Sequence, residues 1–260
     1  MAQLFAAVKP GAIPRQLILP TGSHHRVTPA AIFYAMSFPD EAHRRKYVPG
    51  AFGIGLPQAA VPWSPPSLFQ SVFGPWLFPS TSRSDLNLAP GGYGRFIDPD
   101  LHAGAYVTVG HLMGSAVWMT WPRTRHNQAV LRTIPTLALT PATLHLVMDA
   151  AGLEGLTFRH LDTATAFVVA PGEIVAVWAA TSTAFITAPR YSVRAPTGLS
   201  TLLDTVRDLS HRPDHNRMAI LAHARNVLGQ FRCLVAEDGN ALTPIMQHIQ
   251  DVLDIQPTDM

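Results

Sequence analysis

AFVVAPGEIVAVWAA, residues 166–180, is the stretch on which the reading of the fold turns. Pro171 presets φ for the first corner of a tight turn, and Gly172 supplies the positive φ that the second corner often needs. On either side run Phe, Val and Ile, residues that suit a pleated and buried surface. Glu173 is the only charged residue in the stretch, so both arms read as strands of a core joined by a short turn.

Working outward, the same texture recurs in DLNLA (85–89), AYVTVGHLM (105–113), SAVWMTWP (115–122), LTFRHLD (156–162) and TAFITA (183–188). In AYVTV, alternation puts Tyr106 and Thr108 on one face and Ala105, Val107 and Val109 on the other. Many short strands separated by turn signals predict an antiparallel barrel or sandwich. One helix, from about 141 to 151 within TPATLHLVMDAAGLEG, is expected to interrupt them.

Before this region, residues 1–30 read as irregular apart from a short strand in QLILP. PAAIFYAM and DEAHRRKYV together read as one helix of about 18 residues. A proline- and aromatic-rich stretch carrying Trp63, Phe69, Phe73, Trp76 and Phe78 follows, and so many aromatics predict packing rather than a linker. After it come three helical stretches, LSTLLDTVRDLSH, RMAILAHARNVLGQFRCLVAED and TPIMQHIQDVLD, with Thr201, Asp214 and Thr243 as expected N-caps. The expected organisation is one integrated unit of mainly-β class: an N-terminal part (1–85), a β core (86–192) and a helical segment (193–260).

Composition narrows the function. Charged residues are 14% and the net charge is +2, too small a field to hold a polyanion, so nucleic acid is not implied. Seventeen arginines stand against Lys9 and Lys46 alone, so an anion site would rely on Arg, His or backbone N–H groups. Cys233 is the sole cysteine, which excludes disulfide frameworks and cysteine metal knots. No apolar run approaches the length of a membrane span, and the expectation is a soluble intracellular protein, cytoplasmic or nuclear.

Twelve histidines invite a search for metal ligands. HLD at 160–162 matches the short part of a two-histidine, one-carboxylate site, but no histidine follows until His211, and His160 reads as structural. His24 and His25 in TGSHHR read as a solvated loop, and HRPDHN (211–216) as a polar interhelical loop. His145, His223 and His248 fall inside expected helices. PGGYG (90–94) reads as a turn, and no nucleophile elbow, P-loop or zinc-protease motif is present. Tyr93, Trp118 and Trp121 read as core or pocket wall.

DPDLHAGAYVTVGHLMGSAVWMTWPRTRHN (98–127), followed by AFVVAPGEIVAV (166–177) and STAFI (182–186), resembles the strand pair, turn and strand of JmjC-like proteins, fungal ones especially. The resemblance covers roughly residues 86–190 and implies a double-stranded β-helix of the cupin or jelly-roll type with helices at its ends. In that family Fe(II) is held by His-x-Asp/Glu and a distal histidine, and 2-oxoglutarate meets a basic residue. Carried over by position, His102 matches the first ligand, Gly104 stands at the carboxylate, Ala116 at the basic residue and Val175 at the distal histidine. Only His102 keeps a group able to ligate a metal.

The resemblance therefore implies a barrel with a degenerate site: a non-catalytic binding, regulatory or structural module, with no cofactor expected. Fe(II) and 2-oxoglutarate return only if Asp98, Asp100, His111 or His126 builds a non-standard site. A metal-free isomerase, cyclase or hydrolase would use His102, Tyr106 and Asp100, in a pocket walled by Trp118 and Tyr93. An unrelated assembly subunit is the third reading. Expected partners are a protein or a small molecule at the barrel mouth, or a second copy docked through the C-terminal helices.

Overall fold

The alternating stretches form strands because their apolar residues fall on every second position and so line one face. In the computed structural model, residues 15–18, 24–27, 34–47, 52–56, 76–77, 84–97, 103–131, 138–139, 152–192, 196–211, 214–238 and 243–255 are described. The strands are β1 (Arg15–Ile18), β2 (His24–Val27), β3 (Phe52–Leu56), β4 (Trp76–Leu77), β5 (Ser84–Ala89), β6 (Gly94–Ile97) and β7 (Tyr106–Met113). They continue with β8 (Ala116–Trp121), β9 (Ala138–Leu139), β10 (Thr157–Leu161), β11 (Ala166–Val169), β12 (Ile174–Ala179) and β13 (Thr183–Ser192). The helices are α1 (Glu41–Tyr47), α2 (Arg125–Leu131), α3 (Thr197–Arg207), α4 (Asp214–Asp238) and α5 (Thr243–Ile255).

The protein is mainly β. One sheet has the order β11-β7-β13-β5-β3, with β4 added on β13, and the other β10-β8-β12-β6-β9. From β5 onward the chain passes from one sheet to the other at nearly every step; β8 and β10 instead lie side by side in one sheet. Every pairing is antiparallel. Pro171 and Gly172 make the turn from β11 to β12, with Gly172 at φ 77°, Glu173 N–H donating to Ala170 O and the Glu173 carboxylate accepting from Ala170 N–H.

Register decides which residues lie between the sheets. Phe185 stands opposite both Asn87 and His111, Val109 opposite Phe167, and Trp118 opposite Val177. Val107, Val109, Ala116, Trp118, Phe167, Val169, Val175, Val177 and Phe185 form one buried cluster there. A second cluster joins α3, α4 and α5 to Tyr191, Ala103 and Ala105. The apolar faces of the three helices thus turn onto one another and onto the start of β7 and the end of β13.

Four expectations need correction. The helix read through residues 29–47 is broken: Pro39 and Asp40 separate Tyr34–Met36 from α1, and Asp40 accepts from the backbone N–H groups of Ala42 and His43 as an N-cap. His24 and His25 are in β2, paired with Ile18 and Leu17, not in a loop. Thr201 is inside α3, which begins four residues earlier behind Pro196. Ala105 packs with the helices, not with Val107 and Val109, because strand geometry starts only at Tyr106, after the left-handed turn at Gly104. Asp214 and Thr243 do begin α4 and α5. The helix expected at 141–151 lies outside the described residues, and among those that are described no helix is long and apolar enough to cross a membrane.

Candidate functional site

Val175 and Ala116 both face the space between the sheets and are 3% and 0% exposed, within the same apolar cluster. The face they share is filled by large side chains. Trp118 is fully buried and meets Phe167 and Phe185 edge-on, each at a centroid distance of 5.0 Å. On the open side between β10 and β11, the Arg159 guanidinium lies over the Phe167 ring at 5.3 Å.

Gly104 is excluded from holding a carboxylate by its backbone. Its φ is 79°, and a Cβ there would overlap the carbonyl oxygen of Gly198 in α3 and touch Leu202 and Tyr191. The residue serves close packing of strand on helix. His102, Asp98 and Asp100 lie outside the described residues. Tyr106 is described, and it points away from the space between the sheets: it stands opposite Arg190, shares a hydrogen bond with Thr197 and has its pKa raised by burial. His126 is exposed at α2, 2.7 Å from Gly152 O. Among the described residues no group of three or more His, Cys, Asp or Glu side chains could hold a metal ion.

A histidine enters this interior. His111 is 3% exposed, stacks on Phe185 and accepts a hydrogen bond from Trp118 Nε1 at Nε2 (2.9 Å). Accepting there puts the proton on Nδ1, which is buried without a hydrogen-bond partner. Burial pushes its pKa down to about 4; Asp162 opposes this and His160 adds to it. The sequence held a signal for this placement, since His111 follows Val107 and Val109 at strand spacing.

Beside this interior is a small cleft of about 10 Å³, room for roughly one water, lined by Asn87, Tyr93, Arg95, Val177, Thr183 and Phe185 among others. Arg95 donates to Asn87 Oδ1, and Asn87 Nδ2 donates to Thr187 Oγ1 (3.1 Å), so a guanidinium is fixed at the cleft by a buried amide. Tyr93 borders this void, and Trp118 fills the interior. Neither Asn87 nor Arg95 stood out in the sequence, because no local motif joins them.

The opposite boundary of the interior is held by a polar knot. Tyr191 Oη donates to Ala103 O and lies 2.8 Å from His223 Nε2. With the hydroxyl proton given to the carbonyl, Nε2 carries the ring proton and donates to Oη. Burial raises the Tyr191 pKa and lowers that of His223. The knot ties β13, α4 and the turn that follows His102.

Compared with known proteins, the chain matches no family model and no curated protein. Among solved structures, a crystal structure of Drosophila melanogaster CENP-C bound to CAL1 is similar over 44% of this chain and 71% of that one. The identity is 7% and the TM-score 0.28, too slight a likeness to carry an argument.

Proposed function

We propose that the chain is a JmjC-like double-stranded β-helix whose metal and cosubstrate positions have been turned over to packing, and that it works as a non-catalytic binding module. The observation that carries this is the continuous apolar cluster in which Val175 and Ala116 stand with Trp118, Phe167 and Phe185. A facial iron site needs three protein ligands and ordered partners behind them, and around Val175 this volume is filled mainly by apolar side chains, with Thr120 as its cross-strand neighbour. Gly104 adds to the argument, because no side chain fits at its position.

The strand order supports the jelly-roll part of the proposal. Numbering the eight strands β5, β6, β7, β8, β10, β11, β12 and β13 from one to eight, the sheets run 6-3-8-1 and 5-4-7-2. This is the order that two interleaved Greek keys produce. The cleft with Arg95, Asn87 and Tyr93 has room for about one water, so a protein partner is the occupant that fits a filled barrel.

Melting under anaerobic conditions with Fe(II) and 2-oxoglutarate tests the reading. A ligand that binds only the native state raises its stability. The expected result is an unchanged melting temperature; an upward shift that requires both additions, together with succinate formation in air, would overturn it.

A further inference from the structure

At the other end of β7 from Gly104, two turns bring together three side chains that the sequence keeps apart. Ser115 follows Gly114 in the β7–β8 turn, while His160 and Asp162 lie at the end of β10. Ser115 Oγ is 2.9 Å from His160 Nε2, and His160 Nδ1 is 3.8 Å from Asp162 Oδ2. A hydroxyl within hydrogen-bond reach of an imidazole, whose far nitrogen faces a carboxylate, is the arrangement of a base-activated nucleophile.

Both turns are held firmly. Gly114 has φ 75°, and a Cβ there would overlap Ser182 O, so the turn closes tightly before the serine. Ser115 N–H donates to Thr181 Oγ1 (3.0 Å), and its carbonyl accepts from the N–H groups of Ala180 (2.9 Å) and Thr181 (3.2 Å). On the β10–β11 side, the Asp162 carbonyl accepts from Thr165 N–H, and Ala164 is the only non-glycine with positive φ among the described residues (65°). Strained backbone of this kind concentrates at functional sites. The side chains of His160 and Asp162 are 58% and 64% exposed, so a substrate reaches them from solvent without entering the barrel.

We propose that Ser115, His160 and Asp162 form an acyl-transfer site for small activated esters. Ser115 Oγ attacks the ester carbonyl carbon and its proton passes to His160 Nε2. The bond to the leaving alcohol breaks as His160 returns that proton to the departing oxygen. Water then attacks the acyl-serine, giving one proton to His160 Nε2 and on to Ser115 Oγ as the carboxylic acid leaves. Asp162, 3.8 Å from Nδ1, lies near enough to favour the imidazolium that forms but makes no hydrogen bond to it. The site is separate from the interior between the sheets and stands or falls apart from the barrel reading.

The test uses the full chain, a fluorophosphonate probe with peptide mapping, and p-nitrophenyl acetate hydrolysis. The expected results are labelling at Ser115 and a loss of at least about tenfold in rate for both Ser115→Ala and His160→Gln. His126→Gln, an exposed histidine outside the group, should leave the rate unchanged. Labelling no stronger at Ser115 than at other serines, or a Ser115→Ala rate equal to that of the unmodified chain, would overturn the proposal, since surface imidazoles alone would then account for the hydrolysis.

Discussion

His111 lies between the two sheets and His223 between sheet and helices, and burial pushes both toward the neutral form. Their surroundings differ in how the polar atoms are met. His223 belongs to a chain of donors and acceptors through Tyr191 to Ala103, whereas His111 has one satisfied nitrogen and one orphaned in an aromatic box. The helix-facing core combines apolar packing with a polar knot that holds a turn in place. The core between the sheets is mostly hydrocarbon and aromatic, and one nitrogen of its histidine is left without a hydrogen-bond partner.

That contrast can be broken at several points. Trp118→Ala should have the largest effect, a loss of about 3–5 kcal/mol in denaturant unfolding, because it opens a cavity and strips His111 of its remaining partner. Gly104→Ala should cost at least about 2 kcal/mol by the same measurement, from left-handed strain and overlap with the Gly198 carbonyl. A native-like stability for this variant would show that the packing of strand on α3 is looser than described. Tyr191→Phe should cost about 1–3 kcal/mol, since it leaves the Ala103 carbonyl and the His223 ring buried without their shared partner.

The last effect is on pH dependence, and it sharpens the comparison most. The folded pKa of His111 is lowered to about 4 from an ordinary 6.5, so the unfolded chain takes the proton first. Stability is therefore complete above about pH 6.5 and falls as pH drops toward 4, and His223 acts in the same direction. His111→Gln keeps an acceptor for Trp118 and removes the titration, so thermal melts from pH 7 to 4 should show a shallower acid-side decline. An unchanged decline would mean that His111 is not held neutral in the fold.

Much of the β architecture was legible because a period of two survives wherever one face is buried: each stretch from 85 to 188 read as a strand contains one. The helix break at Pro39 and Asp40 was missed because apolar periodicity on both sides hid a capping aspartate. The meaning of Tyr106 was half legible: alternation put it opposite Val107 and Val109, and the register shows those valines to be the ones between the sheets. What no sequence pattern carried were the assemblies across distant strands. Arg95 meets Asn87 across the β5–β6 turn, and Ser115 meets His160 forty-five residues away. Such meetings depend on pairing and register, which a short motif does not encode.

The proposal is that the positions which hold metal and cosubstrate in JmjC-like proteins serve the core in this chain. Its most direct test is the iron content of the chain after anaerobic incubation with Fe(II) and 2-oxoglutarate and removal of unbound metal. Iron should stay well below one per chain, unchanged when Val175→His is introduced alone, because Gly104 and Ala116 still offer no partner. One iron per chain in the unmodified protein, with succinate released on admission of oxygen, would contradict it.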